Sequence, residues 1–321
     1  MRLSLCLALI AGLAGTLTCG GASAQSWPTK PIRLVVPFSA GGANDLMARA
    51  AAEGASKVLG QPIVIDNKPG AGASLGANIV AKTPPDGYTF LVSAAGVISN
   101  SMIKKGLPYK DSDLVPVAMI GLAPSVILVP ASAPYKDLKE FIAASKAGPG
   151  FHWATAGTGS TPHFVEGLLV TKYGAKLDLV PYKSGSESIT AVLGDQVEAT
   201  SEASIVVLPY LKSGKLKALA TTWTQRISAY PQLSTAVEQG FPEIRIAHWA
   251  GVHAPLGTPD AVLDKMAAAV DTAMKDPATV ARLKGMGIEP VGGTRASFVK
   301  FVEEERTRLG GVVKATDMKE E

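Results

Sequence analysis

Beyond residue 24 the sequence has no cysteine, because both cysteines, Cys6 and Cys19, fall in its first 24 residues. The rest of the chain offers no thiol, no disulfide and no cysteine-ligated metal, so its fold must rest on an apolar core. The four histidines, His152, His163, His248 and His253, form no H-x-x-x-H or H-E-x-x-H pair, and no Walker pattern occurs. Neither a metal nor another cofactor is expected. Charge of one sign is not concentrated. Without Arg2 the chain carries 30 basic and 27 acidic side chains, a formal charge of +3, with no basic run beyond two or three residues. That argues against nucleic-acid and membrane-surface partners, which need clustered Lys and Arg. After Gln25 nothing reaches the roughly 18 uninterrupted apolar residues of a membrane span, so no stable membrane insertion is expected.

What is present begins with an export signal. Arg2, an apolar run from Leu3 to Leu17 and the small-x-small site Ala22-Ser23-Ala24 read as a secretory peptide over residues 1–24, cleaved near Ala24. Lipid attachment at Cys19 fits poorly, since Thr16 stands where an aliphatic is needed. The expectation is a periplasmic protein released from the membrane, with length for two domains or one large one.

The stretch Val35 to Asp45, VVPFSAGGAND, joins a strand over Ile32–Val36 to a helix marked by Met47, Ala51, Ala55 and Val58. Gly41-Gly42 lies at the junction. Helix-start N–H groups lack partners and face the positive end of the helix dipole, so an anion suits that place. The blander reading is a tight connection with Asn44 or Asp45 as N-cap. Asp45 reads as structural, leaving the N–H groups before it for a ligand.

Alternating units follow: a strand over Gln61–Asp66, a loop through Gly70-Ala71-Gly72, a helix over Ser74–Lys82 with Leu75, Ile79 and Val80 at helical spacing, and a strand over Tyr88–Ser93. Later come a strand over Ser125–Pro130, a helix over Asp137–Lys146, and a strand over Phe151–Thr155 that enters Gly157-Thr158-Gly159-Ser160-Thr161-Pro162 before a helix through Phe164, Leu168 and Leu169. This is a second strand, glycine-loop, helix junction, rich in hydroxyls. Alternation of strand and helix points to α/β architecture with mostly parallel sheets, whose ligands sit at strand carboxyl ends. Possible crossings near Ala123–Pro130 and Arg245–Pro255 divide the chain into one lobe of residues 25–124 with 249–321 and another of 125–248.

Gly72-Ala73-Ser74-Leu75-Gly76 matches the G-x-S-x-G nucleophile elbow, but its strand ends well before Ser74, which reads instead as a helix cap. His163, in the first helical turn after Ser160, either donates to an anion or packs on the sheet. Glu202, at a strand's carboxyl end beside Ser201 and Ser204, either faces the cleft or caps the next helix. Trp223 and Trp249 line the cleft mouth or belong to the core. The Glu303-Glu304-Glu305 run reads as a solvated helix face.

The segments WPTKPIRLVVPFSAGGANDLMAR, GQPIVIDNKPGAGASLGANIVAKTPPDGYT, WATAGTGSTPH, VPYKSG, LGDQV, GKLKALA, APLGTP and IEPVGGT resemble, in number and order, the periplasmic substrate-binding proteins of tripartite tricarboxylate transporters, the Bug family. The resemblance implies a two-lobed periplasmic-binding-protein (type II) fold, each lobe a mostly parallel sheet flanked by helices. Such a protein closes on a carboxylate without catalysis and presents it to integral-membrane transporter subunits. It also implies that backbone N–H groups and ordered water at Phe38, Ser39, Ala40, Gly41 and Gly42 hold one carboxylate, and that Thr158, Gly159, Ser160 and Thr161 oppose them. Gly72, Ala73, Ser93, Ala94 and Ser184 correspond to pocket lining. Two departures, Glu202-Ala203 for the family's usual Asp-Asn and Thr158-Gly159-Ser160 for Asn-Gly-Thr, fall where ligand type is selected. The expected ligand is a dicarboxylate, aliphatic or aromatic. Rival expectations are a secreted hydrolase using Ser74 or Ser160 with His163, and a ligand-presenting partner of a sensor kinase.

Overall fold

The computed structural model describes residues 27–182 and 184–319, so the expected signal segment and its cleavage site lie outside the described residues. In chain order the first units are β1 (Ile32–Val36), α1 (Ala43–Leu59), β2 (Ile63–Asn67), α2 (Ser74–Ala81), β3 (Thr89–Ser93), α3 (Ala95–Ile103) and β4 (Leu114–Pro130). Next come α4 (Leu138–Ala147), β5 (Phe151–Thr155), α5 (Thr161–Tyr173), β6 (Leu177–Pro181), α6 (Gly185–Leu193), β7 (Ala199–Ala203), α7 (Ser204–Lys212) and β8 (Leu216–Thr221). The chain closes with β9 (Ala247–Pro255), α8 (Asp260–Lys275), α9 (Pro277–Gly285), β10 (Glu289–Pro290) and α10 (Arg295–Thr316).

The strands run in the order β2-β1-β3-β9-β4-β7-β5-β6, with β8 and β10 pairing β4 off that path. Within the first half β1 is parallel to β2 and β3, and within the second β5 is parallel to β6 and β7, as alternating strand and helix requires. The long strands β4 and β9 run antiparallel to each other and join the halves. β4 changes partners where it passes from one half to the other: Pro124 faces Ala247, whereas Ser125 faces Ala203. The result is two α/β lobes sharing their central strands.

Each half has its own core. Ile32, Val36 and Phe90 pack against Met47, Ala51 and Ala55 of α1 and Leu263 and Val270 of α8. Gly54 permits this, because a Cβ there would lie 2.5 Å from the Cβ of Ala273. The second half buries Trp153, Phe141 and Phe164 with Ile127 and Val129. Leu309 and Val312 of α10 join this second core, while Phe298 and Val302 of the same helix pack on Trp249 and Met119. One helix therefore packs on both halves.

Several local expectations differ from what is found. Val58 and Leu75 point outward, and the inner face of α2 is Ser74, Gly76, Ala77 and Val80. Small residues let α2 lie close to the sheet, where a Cβ on Gly76 would stand 2.7 Å from Pro37. The helix α3 and the first part of β4 were not foreseen. Ala95 to Ile103 holds Gly96, Asn100, two serines and three β-branched residues, all of weak helix propensity, and Pro116 and Pro124 argue locally against a strand. Pro116 is tolerated beside a register irregularity of the β4–β9 pair. Among the described residues no helix is long and apolar enough to cross a membrane.

Candidate ligand-binding site

The carboxyl ends of β1, β2 and β3 carry loops, and the segments after β2 and β3 meet the loop that follows β5. The first loop, Phe38 to Gly42, precedes α1, whose N-cap is Gly42 with no side-chain cap. Neither Asn44 nor Asp45 occupies the N-cap position. Asn44 Nδ2 donates to the Trp249 carbonyl at 2.8 Å, tying the helix start to β9. Asp45 reaches back and accepts from the Gly41 N–H at 2.9 Å, and also accepts from Arg49 and from Asn67 Nδ2, both at 2.9 Å. Burial opposes its charge, but the bonds from Arg49, Asn67 and Gly41 outweigh it and hold the carboxyl below its ordinary value. Asn67 donates as well to the Phe38 carbonyl at 3.1 Å, so the loop is braced from β2.

This corrects one expectation. The N–H of Gly41 is committed to Asp45, and that of Gly42 to the Ser39 carbonyl at 3.3 Å. The N–H groups of Ser39 and Ala40, by contrast, have no partner among the described residues.

At the second junction the Trp153 indole donates to the Pro162 carbonyl at 3.1 Å, seating the first turn of α5 on β5. Within the loop the Ser160 N–H bonds the Gly157 carbonyl at 3.2 Å, and the Gly159 N–H bonds His163 Nδ1 at 3.2 Å. His163 thus accepts through Nδ1 and carries its proton on Nε2; burial lowers its pKa to about 4, so the ring is neutral. It braces the loop and is available to donate through Nε2 alone. Ser160 is the N-cap residue of α5, yet its side chain caps nothing. Its Oγ is buried and has no hydrogen-bond partner among the described residues, and the Thr158 and Thr161 N–H groups are likewise unbonded there. With no hydrogen bond between the Ser160 hydroxyl and the His163 ring among the described residues and Nδ1 already engaged, the pair lacks the geometry of a nucleophile and its base.

The two sides touch through α3. Ser99 Oγ donates to the Gly159 carbonyl at 3.4 Å, and Asn100 Nδ2 donates to the Gly72 carbonyl at 2.9 Å. Ala94 is the extended N-cap of α3, and a Cβ on Gly72 would come within 3.6 Å of the Thr158 carbonyl. Gly72 and Ala73 both adopt positive φ, 56° and 76°, which turns the chain sharply between β2 and α2. Lys104 Nζ donates to the Ala71 carbonyl at 2.8 Å and places a cation at this rim. The sequence does not flag Ser99 and Asn100 because it does not flag the helix that carries them, nor Lys104, the C-cap residue of that helix.

Not every expected residue offers a free group. Ser93 Oγ is buried and donates to the Gly251 carbonyl at 3.2 Å. Ser184 Oγ accepts from the Glu187 N–H at 3.3 Å as the N-cap of α6. Glu202, 5% exposed, lies against the start of that helix, where a Cβ on Gly185 would stand 2.4 to 2.6 Å from its carboxyl atoms. Burial raises its pKa to about 8, and its Oε1 has no partner among the described residues. Trp249 is core, its indole donating to Glu305 Oε2 at 3.1 Å. Glu305 is accordingly buried, unlike the solvated face expected of the acidic run.

Two α/β lobes joined by β4 and β9 are the architecture of the periplasmic binding proteins whose solved structures this chain matches. Residues 47–318 match the tripartite tricarboxylate transporter family receptor. Protein BugT of Bordetella pertussis is 35% identical over 301 residues, 92% of each chain. Among solved structures, R. palustris Rpa4515 with adipate superposes with a TM-score of 0.86 at 30% identity, covering 91% of this chain and 99% of that one. MatC from Rhodopseudomonas palustris with bound malate gives 0.82 at 30% identity, covering 89% and 99%. The chain belongs to the tripartite tricarboxylate transporter receptor family, whose Bug members it resembles along its length. It is a solute receptor and not an enzyme.

Proposed function

We propose that this receptor binds a dicarboxylate, aliphatic or aromatic, between its lobes and delivers it to integral-membrane subunits of a tripartite tricarboxylate-type transporter. The observation that carries the reading is the buried, unpartnered Ser160 Oγ at the start of α5, set in a loop that touches the opposing lobe through Ser99. A carboxylate oxygen there satisfies the hydroxyl and meets the positive end of the helix dipole. The other carboxylate belongs with the N–H groups of Ser39 and Ala40. Adipate and malate, held by two structural neighbours, are both dicarboxylates, which supports the choice. The chain works in the periplasm after cleavage near Ala24. Its lobes comprise residues 25–124 with 249–321 and residues 125–248, and they hinge on β4 and β9.

Charge-assisted hydrogen bonds contribute about 1.5 to 3 kcal/mol each and a helix start about 0.3 to 2 more, so a few suffice for the roughly 8 kcal/mol of micromolar affinity. The test is thermal unfolding of the ligand-stripped mature protein with adipate, malate, phthalate, citrate, amino acids and sugars. A dicarboxylate at about a thousand times its Kd adds roughly 4 kcal/mol of stability. Calorimetry on Ser160→Ala should show affinity for that ligand about tenfold weaker with the ligand-free melting point unmoved. If no carboxylate shifts unfolding, or Ser160→Ala binds as tightly as the parent, the site is elsewhere.

A further inference from the structure

A groove of about 490 Å³ lies beside the crossing strands, between α10 and the segments that follow β8 and β10. Met119 and Leu122 of β4 and Phe298 of α10 are its buried part, and half-buried Trp223 and Phe301 pack against them. Val291 forms a rim that is 47% exposed. The walls come from both halves of the fold. Trp223 follows β8, which pairs with β4 over Val126 to Pro130, whereas Val291 follows β10, which pairs with β4 at Gly121 and Leu122. None of the lining residues belongs to the cleft loops at 38–42 and 157–161. A volume of this size, walled mainly by apolar and aromatic side chains with a few polar groups, suits a small molecule.

Rings and charge together limit what fits. Phe298 and Phe301 lie nearly parallel, 16° apart with centroids at 6.2 Å, and Trp249 braces Phe301 edge-on at 5.3 Å. A flat ring can stack on the part-exposed faces of Phe301 and Trp223. Of the four charged residues in the walls, three are already engaged. Glu305 accepts from Arg308 through Oε1 at 2.5 and 3.1 Å and from the Trp249 indole through Oε2 at 3.1 Å. Glu304 has Lys300 Nζ at 3.8 Å, one helical turn back. Arg245 remains. Its Nε donates to the Pro242 carbonyl at 2.6 Å, but its guanidinium forms no ion pair among the described residues, and the side chain is exposed and open to a ligand. The unbalanced charge is therefore positive, on a planar group that matches a carboxylate.

We propose that this groove is a second ligand site, which takes an aromatic monocarboxylate with its ring against Trp223 and Phe301 and its carboxylate on Arg245. Such a ligand touches both halves of the fold beside the strands that join them. The site shares no residue with the proposed dicarboxylate cleft, so either can fail without the other.

The test follows the Trp223 indole signal of the full mature protein by NMR, assigned with Trp223→Phe, during titration with 3-phenylpropionate. 3-Phenylpropionamide is the uncharged arm and 3-cyclohexylpropionate the non-aromatic one. The signal should move with a Kd of about 1 mM, as expected of about a dozen heavy atoms. The amide should bind about tenfold more weakly and the cyclohexyl acid about threefold. Arg245→Met should weaken the aromatic acid about tenfold while leaving the amide unchanged, and Val291→Glu, which sets a carboxylate on the rim, should weaken the acid by at least about as much. Both positions are exposed, so neither change disturbs the core. Ser160→Ala should leave the titration unaltered. An unmoved signal at about 20 mM acid, equal affinity for acid and amide or for the two acids, or affinity that survives both substitutions overturns the proposal. Loss of the response in Ser160→Ala also overturns it, by placing the acid in the cleft.

Discussion

Glu202 carries the heaviest electrostatic penalty that bears on the candidate site, and replacing it with glutamine removes that penalty. Folded, its carboxyl keeps its proton up to a pH of about 8 because burial penalises the charge; unfolded, it loses the proton near the ordinary 4.5. A folded pKa raised in this way gives stability that is complete below the unfolded value and declines as pH rises to the folded value. Each pH unit of that interval costs about 1.4 kcal/mol, so at pH 7 the parent is less stable by about 3 kcal/mol than it is at pH 4.5 from this group alone. Glutamine has nearly the same shape and no proton to lose. Urea unfolding of the ligand-free mature protein should therefore show Glu202→Gln gaining on the parent from pH 4.5 upward, by about 3 kcal/mol at pH 7 and levelling off above pH 8. A stability difference between the two proteins that stays constant from pH 4.5 to 8 would refute the assignment of a neutral, buried Glu202.

Gly185→Ala places a Cβ against that same carboxyl and should cost about 2 kcal/mol in thermal unfolding, a loss that Glu202→Ala relieves in the double variant. No relief would mean that the α6 start clashes with something else. Asp45→Asn weakens the brace on Gly41 and Asn67 and breaks the charge pairing with half-exposed Arg49, for about 1 to 2 kcal/mol at pH 7. Because the Asp45 folded pKa lies below 3.8, this stability is present above 3.8 and lost as pH falls through the folded value. The variant and parent should therefore converge in acid unfolding curves, and parallel curves would count against the brace.

Local pattern alone determined a good deal of this protein. The charge-free aliphatic run of Leu34 to Val36 is a buried strand, and Met47, Ala51 and Ala55 form the inner face of the helix that follows. Both glycine junctions were legible as strand, loop and helix start, since each is written in adjacent residues. Alternation of the two periods implied parallel strands, and the family segments implied two lobes. These features depend on neighbours within a few positions, where side-chain period and turn chemistry act directly.

Tertiary structure decided what those junctions can offer. Whether a loop N–H is open depends on which side chain folds back on it, and Asp45 takes Gly41 while His163 takes Gly159. The helix α3 and the crossing strand β4 run against their local signals of weak propensity and internal proline, and are held by pairing with β9 and by packing on α10. The bond from Ser99 to Gly159 spans 60 positions, and that from Asn44 to Trp249 spans 205. Glu202 has its shifted pKa only because β7 brings it under the first residue of α6. Burial and hydrogen-bond partners are properties of the packed chain, and the polar groups left for a ligand are those that packing has not already satisfied.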